Sequence, residues 1–248
     1  MMKHQYNGNR LLAAVFLIIS WFSLMVSACT STADALPQPP EGEVTQKPGL
    51  FHEEIQAFRE TEVHRHPPEN SIVFAGSSSF RLWEGLEDEY AEYGVINRGF
   101  GGSRMSDVLE NYDELILHYS PRAVFVYEGD NDIYDGRTVN EVADDFTRFL
   151  VRTRRDLGDI PVIFVLPKPS GSRWEYRDAY RELAGAIISM AESDPHARVI
   201  DSWDEFLNED GMVSDAYFQE DRLHMNEAGY DIWRELITPV LAEITSQF

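Results

Sequence analysis

Five short apolar runs punctuate the chain, and longer amphipathic stretches separate them. The runs are "SIVFA" from Ser71, "GVINR" from Gly94, "AVFVYE" from Ala123, "PVIFVL" from Pro161 and "ARVID" from Ala197. Most are continuous rather than alternating in hydrophobicity, the pattern of parallel strands covered on both faces. Between them Val139, Val142, Ala143, Phe146, Phe149 and Leu150 recur at helical spacing, and "WEYRDAYRELAGAIISMAE" from Trp174 also reads as helix. A last helix is predicted in "NEAGYDIWRELITPVLAEI", with Asn226 as its N-cap and Pro239 expected to kink or interrupt it. Strands and helices alternating throughout predict an α/β fold, a three-layer α/β/α sandwich around a mainly parallel five-stranded sheet. No internal repeat is evident.

The segment before the first run differs in kind. "MMKHQYNGNR" carries Lys3 and Arg10 and no acid, and an uncharged run of sixteen residues, "LLAAVFLIISWFSLMV", follows it. That is the layout of a signal peptide. It closes on "VSAC", small residues leading into Cys29, the only cysteine of the chain, which resembles the lipobox of bacterial lipoproteins. The resemblance implies that residues 1–28 are a lipoprotein signal peptide and that Cys29 is the lipidated first residue of an exported protein. The domain would then be held in the cell envelope by a lipid anchor. Thr30 offers no aspartate-type inner-membrane retention signal, so an outer-membrane or periplasmic address is expected where the cell has one. An uncleaved anchor is the alternative, although an uncharged run of sixteen residues is short for a bilayer. Residues 29–49, rich in Thr, Ser, Pro and Gly after the cysteine, suit a flexible linker, which leaves 50–248 for the folded domain. A lone cysteine excludes an intramolecular disulfide.

The chain's 43 acidic and 21 basic residues give a formal charge of −22, which repels phosphate backbones and argues against a nucleic-acid partner. With one cysteine and no paired histidines on a helix face, neither a metal nor another cofactor is expected.

In open α/β sheets ligands bind beyond the carboxyl ends of the strands, and here those ends carry small and polar residues. Ser77, Ser78 and Ser79 follow the first run, "NRGFGGS" closes the second, "GDNDIYDG" follows the third, "PKPSGSRW" the fourth and "DSWDEF" the fifth. A serine hydroxyl becomes a nucleophile only when a base takes its proton and a third group orients that base. Of the seven histidines, His224 stands out, in "DRLHMNEAGY" just before the last helix, with Asp221 three residues ahead of it. A short loop can fold that carboxylate back to the imidazole Nδ1 while Nε2 points outward. Asp-x-x-His alone also fits a surface loop closed by a cap. Glycine amides in "NRGFGGS" and the Asn131 side chain in "GDND" are candidate donors to a developing oxyanion, though each alone also fits turn chemistry.

Together, "AGSSS", "NRGFGGS", "GDND" and "DRLH" resemble, in order, the four blocks of the SGNH hydrolases, the esterase superfamily that includes the Gly-Asp-Ser-Leu lipases. The resemblance implies a flavodoxin-like α/β/α fold and a serine esterase. It places the nucleophile on Ser78, oxyanion donors on Gly102 and Asn131, and the orienting acid and base on Asp221 and His224. One position departs: the aspartate usual before the nucleophile is Ser77 here. The Gly-x-Ser-x-Gly elbow of α/β-hydrolases is absent around Ser78. Lys168, Arg173 and Trp174 are candidate substrate contacts for an anionic or sugar-like group; Trp174 also fits simple packing at a helix start. Short acyl esters, lysophospholipid and acetylated carbohydrate all remain open as substrates. A non-catalytic envelope lipoprotein that binds a glycan or lipid in the same crevice is the rival class.

Overall fold

The structure, a computed structural model, describes residues 51–63 and 66–246. The expected signal peptide, the Cys29 lipidation site and the whole linker lie outside the described residues.

Five strands form one sheet: β1 (Ile72–Gly76), β2 (Val95–Gly99), β3 (Ala123–Tyr127), β4 (Val162–Val165) and β5 (Ala197–Ile200). All pairs are parallel, in the order β2-β1-β3-β4-β5, with Ile72 level with Val95 on one side and Ala123 on the other. This is the expected α/β sandwich in flavodoxin-like order, and each apolar run became a strand. In that order the chain leaves β1 toward β2 and then returns across it to β3, which opens a crevice between the ends of β1 and β3.

Nine α-helices are described. Those before β3 are α1 (His52–Glu62), α2 (Ser78–Arg81), α3 (Leu86–Glu89), α4 (Met105–Glu110) and α5 (Tyr112–Leu115). After it come α6 (Asp130–Tyr134), α7 (Val139–Leu157), α8 (Arg177–Glu192) and α9 (Glu227–Thr245). Strand side chains alternate between two cores. Val73, Ala75, Val124, Val126, Val162 and Phe164 meet the apolar faces of α4, α7 and α8. Ile72, Phe74, Phe125, Tyr127, Ile163 and Val165 meet α2, α3 and α9. On the second face Phe74 stacks on Phe125 at 4.4 Å, and Trp233 of α9 sits 5.0 Å from Tyr127 and 5.6 Å from Phe80. Truncating a fully buried aromatic of this kind costs about 3–5 kcal/mol.

Asn226 caps α9 as expected, its side chain accepting from Gly229 N–H at 3.2 Å. Pro239 does not interrupt that helix, which runs through it to Thr245. Pro239 and Glu235, whose carbonyl a proline four residues on leaves without a donor, both lie on the exposed face, where water can serve that carbonyl. Helix α1 was not anticipated. It matters for the site because Phe51 packs edge-on against Phe100 at 4.8 Å, directly behind the turn that follows β2.

Candidate active site

The end of β1 is pressed against β3. Gly76 has φ +140°, and a Cβ there would lie 2.1 Å from the Tyr127 carbonyl oxygen, so the close approach requires glycine. Ser77 N–H donates to that same carbonyl at 3.1 Å, the chain turns, and Ser78 is the first residue of α2. The next residue is tied down from α9, where Tyr230 Oη donates to the Ser79 carbonyl at 2.9 Å.

His224 reaches Ser78 from the loop before α9. Its Nε2 lies 3.0 Å from Ser78 Oγ, and its Nδ1 lies 2.6 Å from Asp221 Oδ2. Asp221 accepts only, so Nδ1 carries the ring hydrogen and Nε2 is left to accept from the serine hydroxyl. The second Asp221 oxygen takes the backbone N–H groups of Leu223 and His224, each at 2.9 Å. Burial works against the Asp221 charge, but the Leu223 N–H and the ring and backbone of His224 together hold its carboxyl below the usual range.

The loop after β4 clamps this segment. Lys168 Nζ donates to the Leu223 carbonyl at 2.9 Å, and Ser172 N–H donates to the Arg222 carbonyl at 3.2 Å. Arg222 itself sits at φ +56°, a left-handed conformation that costs a non-glycine residue about 1–2 kcal/mol and that those contacts hold in place.

The other side of the cleft is built on buried polar groups. Asn131, in α6, donates from Nδ2 to the Ser103 carbonyl at 2.8 Å and accepts at Oδ1 from Arg173 Nη1 at 2.9 Å. Gly102, in the turn after β2, adopts φ +71°, a region that favours glycine. That turn is braced by Glu128, whose Oε1 lies 2.6 Å from Ser103 Oγ, with the Phe100 carbonyl 3.2 Å from the same hydroxyl. Complete burial, and then the nearby Asp132, push the Glu128 carboxyl well above its usual range. Glu128 Oε1 accepts from the Ser103 hydroxyl, which also lies within reach of the Phe100 carbonyl. Burial also lifts Asp132 to about 7, against the pull of Arg137 and the Met105 N–H. Asp132 holds the start of α4 through that N–H at 3.1 Å.

These elements enclose an open cleft of about 440 Å³ lined by Glu54, Ser78, Arg81, Gly101, Gly102, Asn131, Arg173, Leu223 and His224. All five residues expected to carry the chemistry therefore meet in one place. Of the three expected substrate contacts, Arg173 lines the cleft and the other two do not. Lys168 is buried under the His224 loop and does not line the cleft, and Trp174 stacks on Trp203 at 6.2 Å. Arg173 reaches the cleft wall but spends a guanidinium N–H on Asn131. The structure adds Glu128 and Ser103, which sequence reading passed over; an acid at the end of the apolar run "AVFVYE" was the available signal. A second cavity, of about 360 Å³, runs along β2 and contains none of the expected residues. Among the described residues no group of three or more His, Cys, Asp and Glu side chains could hold a metal ion, and no helix is long and apolar enough to cross a membrane.

The GDSL-like lipase/acylhydrolase family matches residues 70–232, a span that takes in Ser78, Gly102, Asn131, Asp221 and His224. The chain belongs to that family. Solved structures share the fold of this GDSL-like acylhydrolase. A Streptococcus pneumonia protein provisionally described as a platelet activating factor is 23% identical, with a TM-score of 0.66 over 76% of this chain and 92% of that one. A GDSL-like lipase from Bacteroides thetaiotaomicron is 18% identical, with a TM-score of 0.64 over 76% and 97%. The acetylxylan esterase Axe2 from Geobacillus stearothermophilus is 17% identical, with a TM-score of 0.59 over 69% and 94%. No curated protein matches the chain. Membership makes the GDSL-like protein an ester hydrolase in general terms.

Proposed function

We propose that the protein hydrolyses carboxylic esters through an acyl-enzyme on Ser78, and that the acyl group is short. The observation that carries this reading is the chain of hydrogen bonds from Asp221 through His224 to Ser78, 2.6 Å and 3.0 Å, opening on the same cleft as Asn131 and Gly102. His224 Nε2 takes the proton as Ser78 Oγ bonds to the ester carbonyl carbon. Asn131 Nδ2 with the Gly102 and Ser78 N–H groups receives the negative charge that develops on the carbonyl oxygen. The tetrahedral intermediate collapses, the alcohol leaves with the proton held by His224, and the acyl group stays on Ser78. Water, deprotonated by His224, then attacks the acyl-enzyme, and Ser78 regains its hydrogen as the carboxylic acid departs.

Of the nine residues that line the cleft, Leu223 is the one with an apolar side chain larger than glycine. Such a wall gives a long acyl chain little surface to bury, whereas Arg81 and Glu54 suit a hydroxyl-rich alcohol. Acetylated carbohydrate fits this better than lysophospholipid. Axe2 shares the fold, and its name gives acetylxylan as its substrate. A panel of p-nitrophenyl esters of rising chain length, run beside acetylated sugars and a lysophospholipid, tests the reading. kcat/KM should be flat or falling with length; a rise of about fourfold per methylene, the full gain from burying each one, would contradict it.

The N-terminal apolar run closing on "VSAC" supports a second part of the proposal: the domain is exported to the cell envelope and anchored through a lipid on Cys29, with a polar ester rather than a nucleic acid as its partner. Loss of membrane association in Cys29→Ala tests the anchor.

A further inference from the structure

We propose that Arg173 is a positioning residue for the oxyanion donor: it fixes which way round the Asn131 amide faces and polarises it, acting through Asn131 and not on the substrate. This rests on the reading of Asn131 as that donor.

A side-chain amide can sit in either of two orientations, and its neighbours decide between them. Here both neighbours have one polarity only. A guanidinium can only donate, and the Ser103 backbone carbonyl can only accept. With Oδ1 toward Arg173 at 2.9 Å and Nδ2 toward Ser103 at 2.8 Å both bonds are made. A flipped amide would set donor against donor and carbonyl against carbonyl in a buried place, losing both. The bond to Ser103 uses one Nδ2 hydrogen, so the second is the one that remains for a substrate oxygen in the cleft. A cation on Oδ1 also draws electron density from the amide, which makes that remaining N–H a stronger donor as negative charge builds in front of it.

Arg173 is itself held for this task. Its guanidinium lies 4.0 Å from the centroid of the Tyr134 ring and 3.8 Å from Asp130 Oδ2, and its side chain is 10% exposed. Asp130 is fixed in turn by Tyr127 Oη at 3.1 Å on its carboxylate and by Tyr180 Oη at 3.0 Å on its carbonyl. Turning toward a substrate would cost Arg173 the Asn131 bond, the ring contact and its nearby carboxylate together.

A double-mutant cycle with Arg173→Met and Asn131→Ala tests the proposal. kcat and KM are measured per active site on a short p-nitrophenyl ester, with sites titrated by a phosphonate. Asn131→Ala should lower kcat by about 10²- to 10³-fold. Arg173→Met should lower kcat by about 10- to 100-fold with KM unchanged, and Arg173→Lys, which keeps the charge, should restore part of the loss. In the Asn131→Ala background Arg173→Met should change kcat by less than about threefold, because the group it acts on is gone. A raised KM, an equal loss of kcat in both backgrounds, or normal kcat in Arg173→Met would overturn the proposal. Normal kcat in Asn131→Ala alone would instead remove the oxyanion reading itself, and the proposal with it. If Arg173→Met shows no cooperative melt, Arg173→Lys and Arg173→Gln carry the same cycle.

Discussion

On the base side of the cleft Asp221 and His224 stand three residues apart in sequence, with side chains 45% and 25% exposed, and one short loop brings them together. On the oxyanion side Asn131 depends on Ser103 and Arg173, 28 and 42 residues away, and both are buried. The base side is a local motif braced from outside by Lys168 and Ser172. The oxyanion side is a network of buried charged and polar groups in which each member needs its partners. Removing a group should therefore abolish chemistry on the first side without touching the fold, whereas on the second side it should trade orientation, stability and pH dependence against one another.

The largest effect belongs to the base side. His224→Ala should lower kcat by about 10⁴-fold or more, while its thermal melt stays within a few degrees of wild type, because the loop keeps its contacts to Lys168 and Ser172. Turnover at matched protein concentration, paired with a melt followed by circular dichroism, checks this. A destabilised variant with residual activity would show that the two sides are not built differently.

Lys168→Met tests the brace. It should lower kcat about tenfold by loosening the Leu223 carbonyl, and it should also change how stability depends on pH. Burial lowers Lys168 from 10.5 to about 8, against the attraction of Asp130. The native protein thus releases this proton at lower pH than the unfolded chain, so wild-type stability should rise between about pH 8 and 10.5, and below pH 8 the buried charge is a standing cost. Denaturant melts across that range should show the rise in wild type and its loss in the variant.

Glu128→Gln should leave kcat within about twofold, the smallest change in activity, because glutamine mimics the neutral acid that braces Ser103. Its signature is in stability. Burial and then Asp132 raise the Glu128 carboxyl, so the native state keeps a proton the unfolded chain has lost. Wild-type stability from this group should fall as pH rises from about 4.5 toward the raised value, and the glutamine variant should escape that fall. Melts of the two proteins that stay parallel from pH 5 to 8 would mean Glu128 is not held neutral.

How much of this was legible in the sequence follows the same division. Continuous apolar runs mark parallel strands, so β1 to β5 could be read directly, and Asp221, His224 and Ser78 could be read because Asp-x-x-His and a serine after a strand are local patterns. Arg173 and Lys168 could be flagged only as substrate contacts. A charged side chain in a polar loop is read as exposed unless its burial is known, and burial here is decided by residues such as Tyr134 and Leu223 from other parts of the chain. Glu128 was missed for the same reason, although its place at the end of β3 left a mark. Helix α1 was missed because its sequence "HEEIQAFRETE" is mostly polar and is held by a few contacts, Phe51 and Ile55 among them.

The claim on which both sides depend is that Ser78 is the residue that is acylated. Incubation with a short-chain p-nitrophenyl phosphonate, followed by intact mass and peptide mapping, measures it. The account predicts one equivalent of p-nitrophenolate released per chain, a single adduct on Ser78, and ester hydrolysis lost in step with labelling. An adduct on Ser77 or Ser79, or full esterase activity in a chain labelled at Ser78, would contradict it.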